Sequence, residues 1–333
     1  MSLLKIYSEK DIASLLKKRD GETKFGEKVS FIKTLEDLKN HSAKYVLLGI
    51  PEDIGVRANY GNPGTSKAWT AALGSLLNIQ HNHLTNAENV ILLGELDCDT
   101  QMKQAESISK EENHYAEELG GLVTQIDHKV SEVVRAIVAA GKFPIIIGGG
   151  HNNSFGNLKG TSEGIEKAIN CINFDAHTDF RSLEHRHSGN GFSYAFVDGF
   201  LEKYFIFGLH RNYTSEVVFN SMEKNSHRVK FNLFEAISID QNLSFGEALQ
   251  EAENFCCNDN FGIEVDMDAI EMMGSSAISP SGFTLNEARK FVSHFSKNTY
   301  ARYFHICEGS PSAGIFPNQV GKAIACLVSD AIS

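Results

Sequence analysis

The chain has 333 residues and a formal net charge of −11, with 31 basic and 42 acidic residues. Its only basic block is the short KKR at 17–19, which disfavours nucleic acid and anionic membranes as partners. No apolar run approaches the roughly 18 residues of a membrane span, and the amino-terminal stretch lacks the apolar core of a signal peptide. Six cysteines without a C-x-x-C spacing favour a reducing compartment, so we expect a cytoplasmic protein.

Short apolar runs typical of β-strands alternate with longer helical stretches along most of the chain. The first 40 residues are predicted to form a helical extension, with a helix that begins near Ser8 and a capping box completed by Asp11. The predicted strands cover 45–50, 90–94, 144–149, 171–177, 204–209, 261–268 and 302–309. The predicted helices cover 66–78, 111–141, 161–168, 214–224, 244–257, 284–298 and 318–331.

Near-continuous apolar strands separated by helices are typical of a parallel sheet that is covered on both faces. The sequence shows no repeat, low-complexity segment or linker, which favours one domain over residues 1–333. We therefore predict a single three-layer α/β/α domain with a mostly parallel sheet of roughly eight strands. Ligands of such folds bind beyond the carboxyl ends of the strands, so functional side chains should follow the strands.

The segment NFDAHTDFR, residues 173–181, places three metal-capable side chains at the end of a predicted strand. Asp175, His177 and Asp179 occupy alternating positions, which share one face of an extended chain. Burying two carboxylates and an imidazole together without a cation would cost several kcal/mol per charge. A surface hydrogen-bond network or a helix cap is the structural alternative. The alternation favours a metal site.

Two further strand ends offer the same kinds of ligand. His151 follows the glycine turn GGG, and Asp266 and Asp268 alternate at the end of a strand with Glu264 one step deeper. Each piece alone has an ordinary explanation as a cap or a solvated loop, but three such segments at one sheet edge favour a shared site. Two imidazoles and four carboxylates are too many for one tetrahedral zinc and suit two ions such as Mn²⁺. We predict two Mn²⁺ per chain, although nickel, cobalt or iron would also accept these ligands.

The segments GGGH, DAHTD and VDMD resemble, in order, the three metal motifs of the arginase and agmatinase family of ureohydrolases. The resemblance extends over about residues 45–330. It implies hydrolysis of a C–N bond in a guanidinium or amidine group of a small molecule by a metal-activated hydroxide. Relatives form trimers or hexamers, so a homo-oligomer is an open alternative. The implied ligands, divided between two manganese ions, are His151, Asp175, His177, Asp179, Asp266 and Asp268.

The resemblance also implies roles in catalysis. Asp179, besides ligating, is expected to accept the proton of the hydroxide. Glu308 in HICEGSP resembles the glutamate of an E-x-x-P motif that grips the amidinium group of the substrate. The alternative for Glu308 is an ordinary acid after a strand. His187, with His185 beside it, is a weaker candidate for the acid that protonates the leaving amine.

The substrate is predicted from one phenylalanine and two arginines. Arginases carry a histidine two residues after the tripeptide SGN, and Phe192 at that position disfavours arginine hydrolysis. Arg57 in EDIGVRANYGNPG and Arg181 in DAHTDFR resemble formimidoylglutamase, whose substrate carries two carboxylates that guanidinium groups bind well. Either arginine could instead pair with an acid of this chain. Ser188 and Asn190 lie in the loop that contacts the amino-acid end of the substrate in relatives, or are turn residues.

The sequence thus predicts a manganese hydrolase that converts N-formimidoyl-L-glutamate and water to L-glutamate and formamide, as in histidine breakdown. An arginase, an agmatinase or another guanidino-acid hydrolase is the alternative within the family. A catalytically silent relative that acts as a binding module is the alternative outside catalysis. The six intact ligand positions disfavour the silent relative, since such a protein gains nothing from clustered carboxylates.

Overall fold

The structure is a computed structural model that describes residues 3–111 and 113–333. In this part of the chain one sheet contains nine strands: β1 (Leu4–Ile6), β2 (Tyr45–Gly49), β3 (Val90–Leu96), β4 (Phe143–Ile147), β5 (Ile169–Phe174), β6 (Leu201–Leu209), β7 (Val229–Leu233), β8 (Phe261–Asp266) and β9 (Ala301–Cys307). Their spatial order is β1-β3-β2-β4-β9-β8-β5-β6-β7. β1 pairs antiparallel with β3, and the other pairings are parallel. The predicted α/β domain with a mostly parallel sheet is confirmed.

Helices cover both faces of this sheet. The described residues form α1 (Glu9–Ile12), α2 (Ile54–Ala58), α3 (Ala68–Leu76), α4 (Asp99–Ser107), α5 (Tyr115–Ala139), α6 (Asn153–Ile165), α7 (Gly191–Val197), α8 (Glu216–Lys224), α9 (Phe245–Cys256), α10 (Leu285–Phe295) and α11 (Gln319–Ile332). Side chains that alternate along β2 separate into two cores. Leu47 packs in the core that includes α3, α10 and α11, whereas Val46 and Leu48 pack in the core that includes α5 and α6. The three-layer architecture follows from this alternation.

The prediction for the first 40 residues was wrong in part. Ser8 does cap α1, because its backbone N and its Oγ both donate to Asp11 Oδ2, at 2.8 and 2.7 Å. However, α1 is only 4 residues long, and the rest of the described segment before β2 contains β1 and short 3₁₀ turns. A strand of 3 residues is too short to show a period in the sequence, so β1 was not predicted.

The helices α2, α4 and α7 were not predicted, and β7 and α6 also differ from the prediction. β7 was missed because it is a partly exposed edge strand whose residues VKFNL include an exposed lysine. α6 begins at Asn153, not at 161, although its first turns carry asparagines and glycine, which are weak helix formers. Gly156 and Gly160 allow α6 to approach α5 closely: added Cβ atoms would lie 2.7 Å from a Val130 side-chain atom and 2.5 Å from the Ser131 carbonyl. Tertiary packing therefore determines this helix.

Candidate active site

The predicted ligands follow four adjacent strands. β4, β9, β8 and β5 are neighbours in the centre of the sheet, and all four run parallel. Their carboxyl ends therefore meet at one edge, where the chain turns into loops. His151 follows β4, Glu308 follows β9, Asp266 ends β8, and Asp175 follows β5. The predicted ligands thus gather beyond the carboxyl ends of these strands, where ligands bind in folds of this kind.

The backbone at this edge adopts conformations that most residues avoid. Gly149 has a φ of 74°, and an added Cβ would lie 2.2 Å from Asn153 Nδ2 and 2.8 Å from Glu52 Oε1. Asp179 and Glu308 have φ values of 42° and 59°. Such left-handed conformations cost of order 1 kcal/mol or more for residues other than glycine, and they persist where the surrounding structure holds them. The strained residues coincide with the site.

His151 lies at the centre of the carboxylate cluster. Its Nδ1 is 2.8 Å from Asp179 Oδ2 and 3.0 Å from Asp266 Oδ2. The same nitrogen is 3.3 Å from Asp175 Oδ2. One donor atom from each of these four residues lies within 4.8 Å of the others, which is the spacing of ligands around a common ion. The structure thus brings together four of the six predicted ligands.

The other two predicted ligands are His177, which contacts Asp175, and Asp268, which lines the cavity. His177 Nδ1 is 3.5 Å from Asp175 Oδ1, the oxygen that does not face His151. His177 and Asp268 both line the same cavity as Asp179 and Asp266. Asp268 Oδ1 accepts a hydrogen bond of 3.2 Å from the backbone N of Ala277. Asp175 therefore stands between His151 and His177 and contacts both of them.

Burial sets the electrostatics of this cluster. Burial, followed by the charges of Asp268 and Asp175, holds the pKa of Asp266 well above its usual range. Burial also raises the pKa of Asp179 and of Asp268. Burial opposes protonation of His177, but the hydrogen bond and charge of Asp175 outweigh it and raise its pKa to about 10. Without a cation these groups would retain protons to avoid mutual repulsion, so the cluster is suited to bind cations.

Glu308 lies at the base of the cavity beside the cluster. Its Oε1 accepts a hydrogen bond of 2.6 Å from the backbone N of His151. Its Oε2 is buried and receives no hydrogen bond of normal geometry from any described residue. Burial and then the charge of Asp268 raise the pKa of Glu308 to about 8. A buried carboxylate oxygen without a partner at a cavity wall is suited to receive a cationic N–H group.

The donor set fits manganese. A cavity of about 480 Å³ is lined by His177, Asp179, Asp266, Asp268 and Glu308, and the remaining predicted ligands, His151 and Asp175, are buried behind this lining in contact with it. Mn²⁺ prefers carboxylate, imidazole and water, and thiolate ligands would be expected for a softer ion. Cys307 lies near His151 and Asp266, but it is buried and its Sγ donates towards the carbonyl of Val265 at 3.6 Å. The oxygen-rich set is therefore the one open to the cavity.

The two predicted substrate arginines have different environments. Arg181 lines the cavity with half of its side chain exposed, where Nη1 donates to Asn59 Oδ1 at 2.6 Å and Nη2 to Glu184 at 3.1 Å. Arg57 does not line the cavity; its Nε lies 3.1 Å from Asp53 Oδ1 in a largely buried pair. The predicted role of Arg57 in direct substrate binding is not supported, because the helical turn of α2 directs it to this acid.

The two predicted substrate contacts in the SGN loop, Ser188 and Asn190, have different environments. Ser188 lines the cavity, and its Oγ accepts a hydrogen bond of 3.2 Å from Asn59 Nδ2. Asn190 is fully buried instead: its Oδ1 accepts from Arg186 Nη1 and its Nδ2 donates to the His185 carbonyl at 2.9 Å. Asn190 thus stabilises the loop and does not contact the cavity, contrary to the prediction of a substrate contact.

His187 is also occupied within this loop. Its Nδ1 accepts a hydrogen bond of 3.0 Å from the backbone N of Gly189, and its Nε2 lies 3.0 Å from Glu184 Oε1. Burial lowers the pKa of His187 to about 4. The ring is not among the groups that line the cavity. The geometry therefore does not support His187 as the acid for the leaving amine.

An ion pair that the sequence does not reveal fixes this loop. Arg186 Nε and Nη2 donate to the two oxygens of Asp127 on α5, at 2.9 and 3.2 Å. Nη2 also donates to the Asn152 carbonyl at 3.0 Å, and the guanidinium lies over the rings of Phe155 and Tyr194. Arg186 thereby links the SGN loop to the turn that carries His151. Its place between two histidines gave no signal of this role.

Glu52 and Phe192 support His151 from two sides. Glu52 Oε1 accepts hydrogen bonds from the backbone N of Gly150 at 3.0 Å and from Asn153 Nδ2 at 2.6 Å. Phe192 is fully buried, contacts the His151 ring edge to face at 5.1 Å between centroids, and stacks on Tyr204. The glycine turn and the orientation of His151 therefore depend on a buried acid and an aromatic wall.

Tyr213 forms a further wall of the cavity. Its ring stacks on His177 with centroids 5.1 Å apart and on His210 with centroids 5.3 Å apart. The loop after β6 that carries Tyr213 gave no sequence signal, because its residues match no motif.

No helix among the described residues is long and apolar enough to cross a membrane.

Comparisons with known sequences identify relatives along nearly the whole chain. A family model described as the arginase family matches residues 43–332. The formimidoylglutamase of Geobacillus kaustophilus is 25% identical over 299 residues, which cover 87% of this chain and 82% of that protein. The formimidoylglutamase of Macrococcus caseolyticus is 24% identical over 273 residues, covering 81% of this chain and 78% of that protein.

Solved structures give the same picture for the fold. The formimidoylglutamase of Bacillus subtilis superposes with a TM-score of 0.74 at 18% identity, covering 98% of both chains. The formiminoglutamase of Trypanosoma cruzi, solved with Mn²⁺, gives a TM-score of 0.71 at 19% identity, covering 93% of this chain and 97% of that chain. At these identities the likeness establishes the shared fold.

Proposed function

Because the chain belongs to the arginase family, we propose that it is a binuclear manganese hydrolase that converts N-formimidoyl-L-glutamate and water to L-glutamate and formamide. The observation that carries the proposal is the cluster in which Asp175 contacts both His151 and His177, next to a cavity lined by Asp179, Asp266 and Asp268 together with Arg181 and Glu308, whose Oε2 has no partner. The names of the relatives support the choice of substrate.

The proposed reaction uses residues at the base of the cavity. Bound Mn²⁺ would supply the Lewis acidity that makes hydroxide available near neutral pH. Glu308 Oε2 accepts a hydrogen bond from the formimidoyl group and orients its carbon. Water adds its oxygen to that carbon, the bond from the carbon to the glutamate nitrogen breaks, and this nitrogen gains a proton. Asp179, which lines the cavity, is proposed to accept the proton that the attacking water releases.

Arg181 and Ser188 are proposed to bind the carboxylate end of the substrate. Arg181 is the only lysine or arginine among the described residues that line the cavity, and half of its side chain is exposed. A planar guanidinium can form two parallel hydrogen bonds with one carboxylate. To do so, Arg181 would exchange its present contact with Glu184 for the substrate.

A second candidate is favoured by the position of Arg57. Since Arg57 pairs with Asp53 outside the cavity lining, only one arginine remains for the two carboxylates of formimidoylglutamate. An amidino or guanidino acid with a single carboxylate would match this cavity equally well. A silent binding module is the remaining alternative, and metal content separates it, since such a protein should bind well under two ions per chain.

Product assays on Mn²⁺-loaded protein distinguish these candidates. N-formimidoyl-L-glutamate, L-arginine, agmatine and 4-guanidinobutyrate would be supplied in parallel, with Asp179→Asn as the inactive control. Formamide from the first substrate alone is expected. Urea from 4-guanidinobutyrate alone would show that the substrate assignment is wrong and would leave the proposed metal-dependent mechanism intact. Turnover of none, with two ions bound, would contradict the proposed reaction.

Location and assembly stay as predictions. All six cysteines are free thiols and five are buried, which agrees with the proposed cytoplasmic location. A homo-oligomer is proposed from the family alone. Light scattering on the purified protein would give its mass, and a monomer would contradict this expectation.

A further inference from the structure

A buried carboxylate lies directly beneath the candidate metal site. Glu264 is on β8, two residues before Asp266, and is fully inaccessible to solvent. Its Oε2 is 3.5 Å from Nε2 of His151, the ring nitrogen opposite the one that faces the aspartates. Glu264 does not line the cavity, so it cannot contact substrate directly. Its contact with His151 needs a separate explanation.

Two neighbours hold this carboxylate in place. Tyr303 donates its hydroxyl to Glu264 Oε1 at 2.7 Å, and His305 Nδ1 lies 2.5 Å from Glu264 Oε2. His305 Nε2 lies 3.3 Å from the carbonyl of Gly148, in the turn that leads to His151. Tyr303 and His305 are both on β9, adjacent to β8 in the sheet. Glu264 is therefore fixed by the sheet itself and not by a loop.

The chemistry of His151 requires an acceptor at this place. A neutral imidazole that binds a cation through Nδ1 carries its proton on Nε2. Nε2 is buried and makes no hydrogen bond of normal geometry with a described residue. Leaving a buried donor unpaired is unfavourable, and Glu264 Oε2 is the carboxylate oxygen that the structure places opposite it. A movement of a few tenths of an ångström would complete the hydrogen bond.

We propose that Glu264 is a positioning residue that holds His151 with its proton on Nε2, so that Nδ1 is directed at a cation, while Tyr303 and His305 fix Glu264. The inference rests on the proposed metal site. An acidic partner behind a ligating histidine fixes its tautomer and orientation and raises its basicity.

The two ions should depend on Glu264 unequally. His177, at the other end of the site, has Asp175 beside its Nδ1 and the ring of Tyr213 against its face, and no contact with Glu264. Loss of the Glu264 charge should therefore weaken the ion on the His151 side. The ion on the His177 side should retain most of its affinity.

Mn²⁺ affinities test this directly. Mn²⁺ would be titrated, against a competing chelator, into three metal-free proteins: the wild type, Glu264→Gln and Tyr303→Phe. The melting temperature of each metal-free protein would also be measured. Glu264→Gln should weaken one of the two sites about 10- to 100-fold. Tyr303→Phe is the matched control, because it removes a hydrogen bond from the same carboxylate but leaves Oε2 facing His151. Its effect should be several-fold smaller.

The outcomes separate the inference from the proposed function. If the wild type binds two ions and folded Glu264→Gln binds both with unchanged affinity, the positioning role is wrong, even if its melting temperature falls. If the wild type itself binds no Mn²⁺, the proposed function is wrong and this inference is lost with it. If Glu264→Gln does not fold, Glu264→Asp replaces it in the experiment. This variant keeps the negative charge but shortens the side chain by one methylene, which moves the carboxylate away from His151. It should weaken the same site, and an unchanged affinity would again overturn the inference.

Discussion

The protein buries carboxylates in two ways. Asp127 is matched within the chain, because both of its oxygens accept hydrogen bonds from Arg186. The cavity aspartates are not matched: Asp179 and Asp266 contact His151, which is also shared with Asp175. Burial raises the pKa of Asp127 to about 6, so it is ionised at neutral pH, whereas it raises the pKa of Glu308 to about 8. A matched buried acid stabilises the fold, and an unmatched cluster needs a cation from outside.

The largest effect is expected when a cavity carboxylate is neutralised. Asp179→Asn should reduce kcat/KM for the proposed substrate about 10²- to 10⁴-fold, because the acceptor for the hydroxide proton and a metal ligand are lost. The metal-free melting temperature should stay the same or rise, since a buried acid whose ionised form is disfavoured by burial and by Asp175 is replaced by a neutral amide. Steady-state kinetics and calorimetry measure both. A variant with near-normal activity would show that Asp179 has neither role.

The matched acid should behave in the opposite way. Asp127→Asn leaves the Arg186 guanidinium buried without a counter-charge and should lower the free energy of unfolding by about 3–5 kcal/mol. Activity per folded, Mn²⁺-loaded molecule should fall much less than in Asp179→Asn. Urea denaturation measures the stability. A loss under about 1 kcal/mol would remove the distinction between the two kinds of buried acid.

The pH dependence of the metal-free protein sharpens the comparison. The pKa of Glu308 rises from 4.5 to about 8 on folding, so its contribution to stability is present below about 4.5 and is lost as pH rises through about 8. The pKa of His177 rises from 6.5 to about 10, so its contribution to stability is likewise lost with rising pH, but at higher pH than that of Glu308. We expect the metal-free melting temperature to fall between pH 5 and 8 and to fall less in Glu308→Gln. Equal slopes in the two proteins would contradict the raised pKa.

The smallest effect concerns the cavity entrance. Arg181→Gln should raise KM for a carboxylate substrate about tenfold with little change in kcat, because a charge-assisted hydrogen bond at a half-exposed site is lost. Arg57→Gln is the matched control, since its arginine is committed to Asp53. Steady-state kinetics on both variants would decide. An equal rise in KM for both would restore Arg57 as a substrate contact.

Much of the fold and site could be predicted from local sequence patterns. The alternating Asp175, His177 and Asp179 identify the metal-capable segment correctly, and parallel topology brings the strand ends together. The predicted reason was wrong, because β5 ends at Phe174 and Asp179 has a φ of 42°, so a loop and not one face of an extended strand positions these side chains. The fate of each arginine could not be predicted, because pairing depends on partners distant in sequence. Arg186 meets Asp127, 59 residues earlier, and only the packed structure shows it. The same limit applies to the start of α6. Its glycines predict a loop from sequence alone, but in the structure they allow close packing against α5.

The central claim is that the unmatched carboxylates form a site for two manganese ions. The most direct measurement is the metal content of the protein after Mn²⁺ loading and gel filtration, read together with formamide release from N-formimidoyl-L-glutamate. We expect two ions per chain and activity that appears only as the second ion binds. Folded protein that retains one ion or none under saturating Mn²⁺, or that is equally active after chelation, would contradict it.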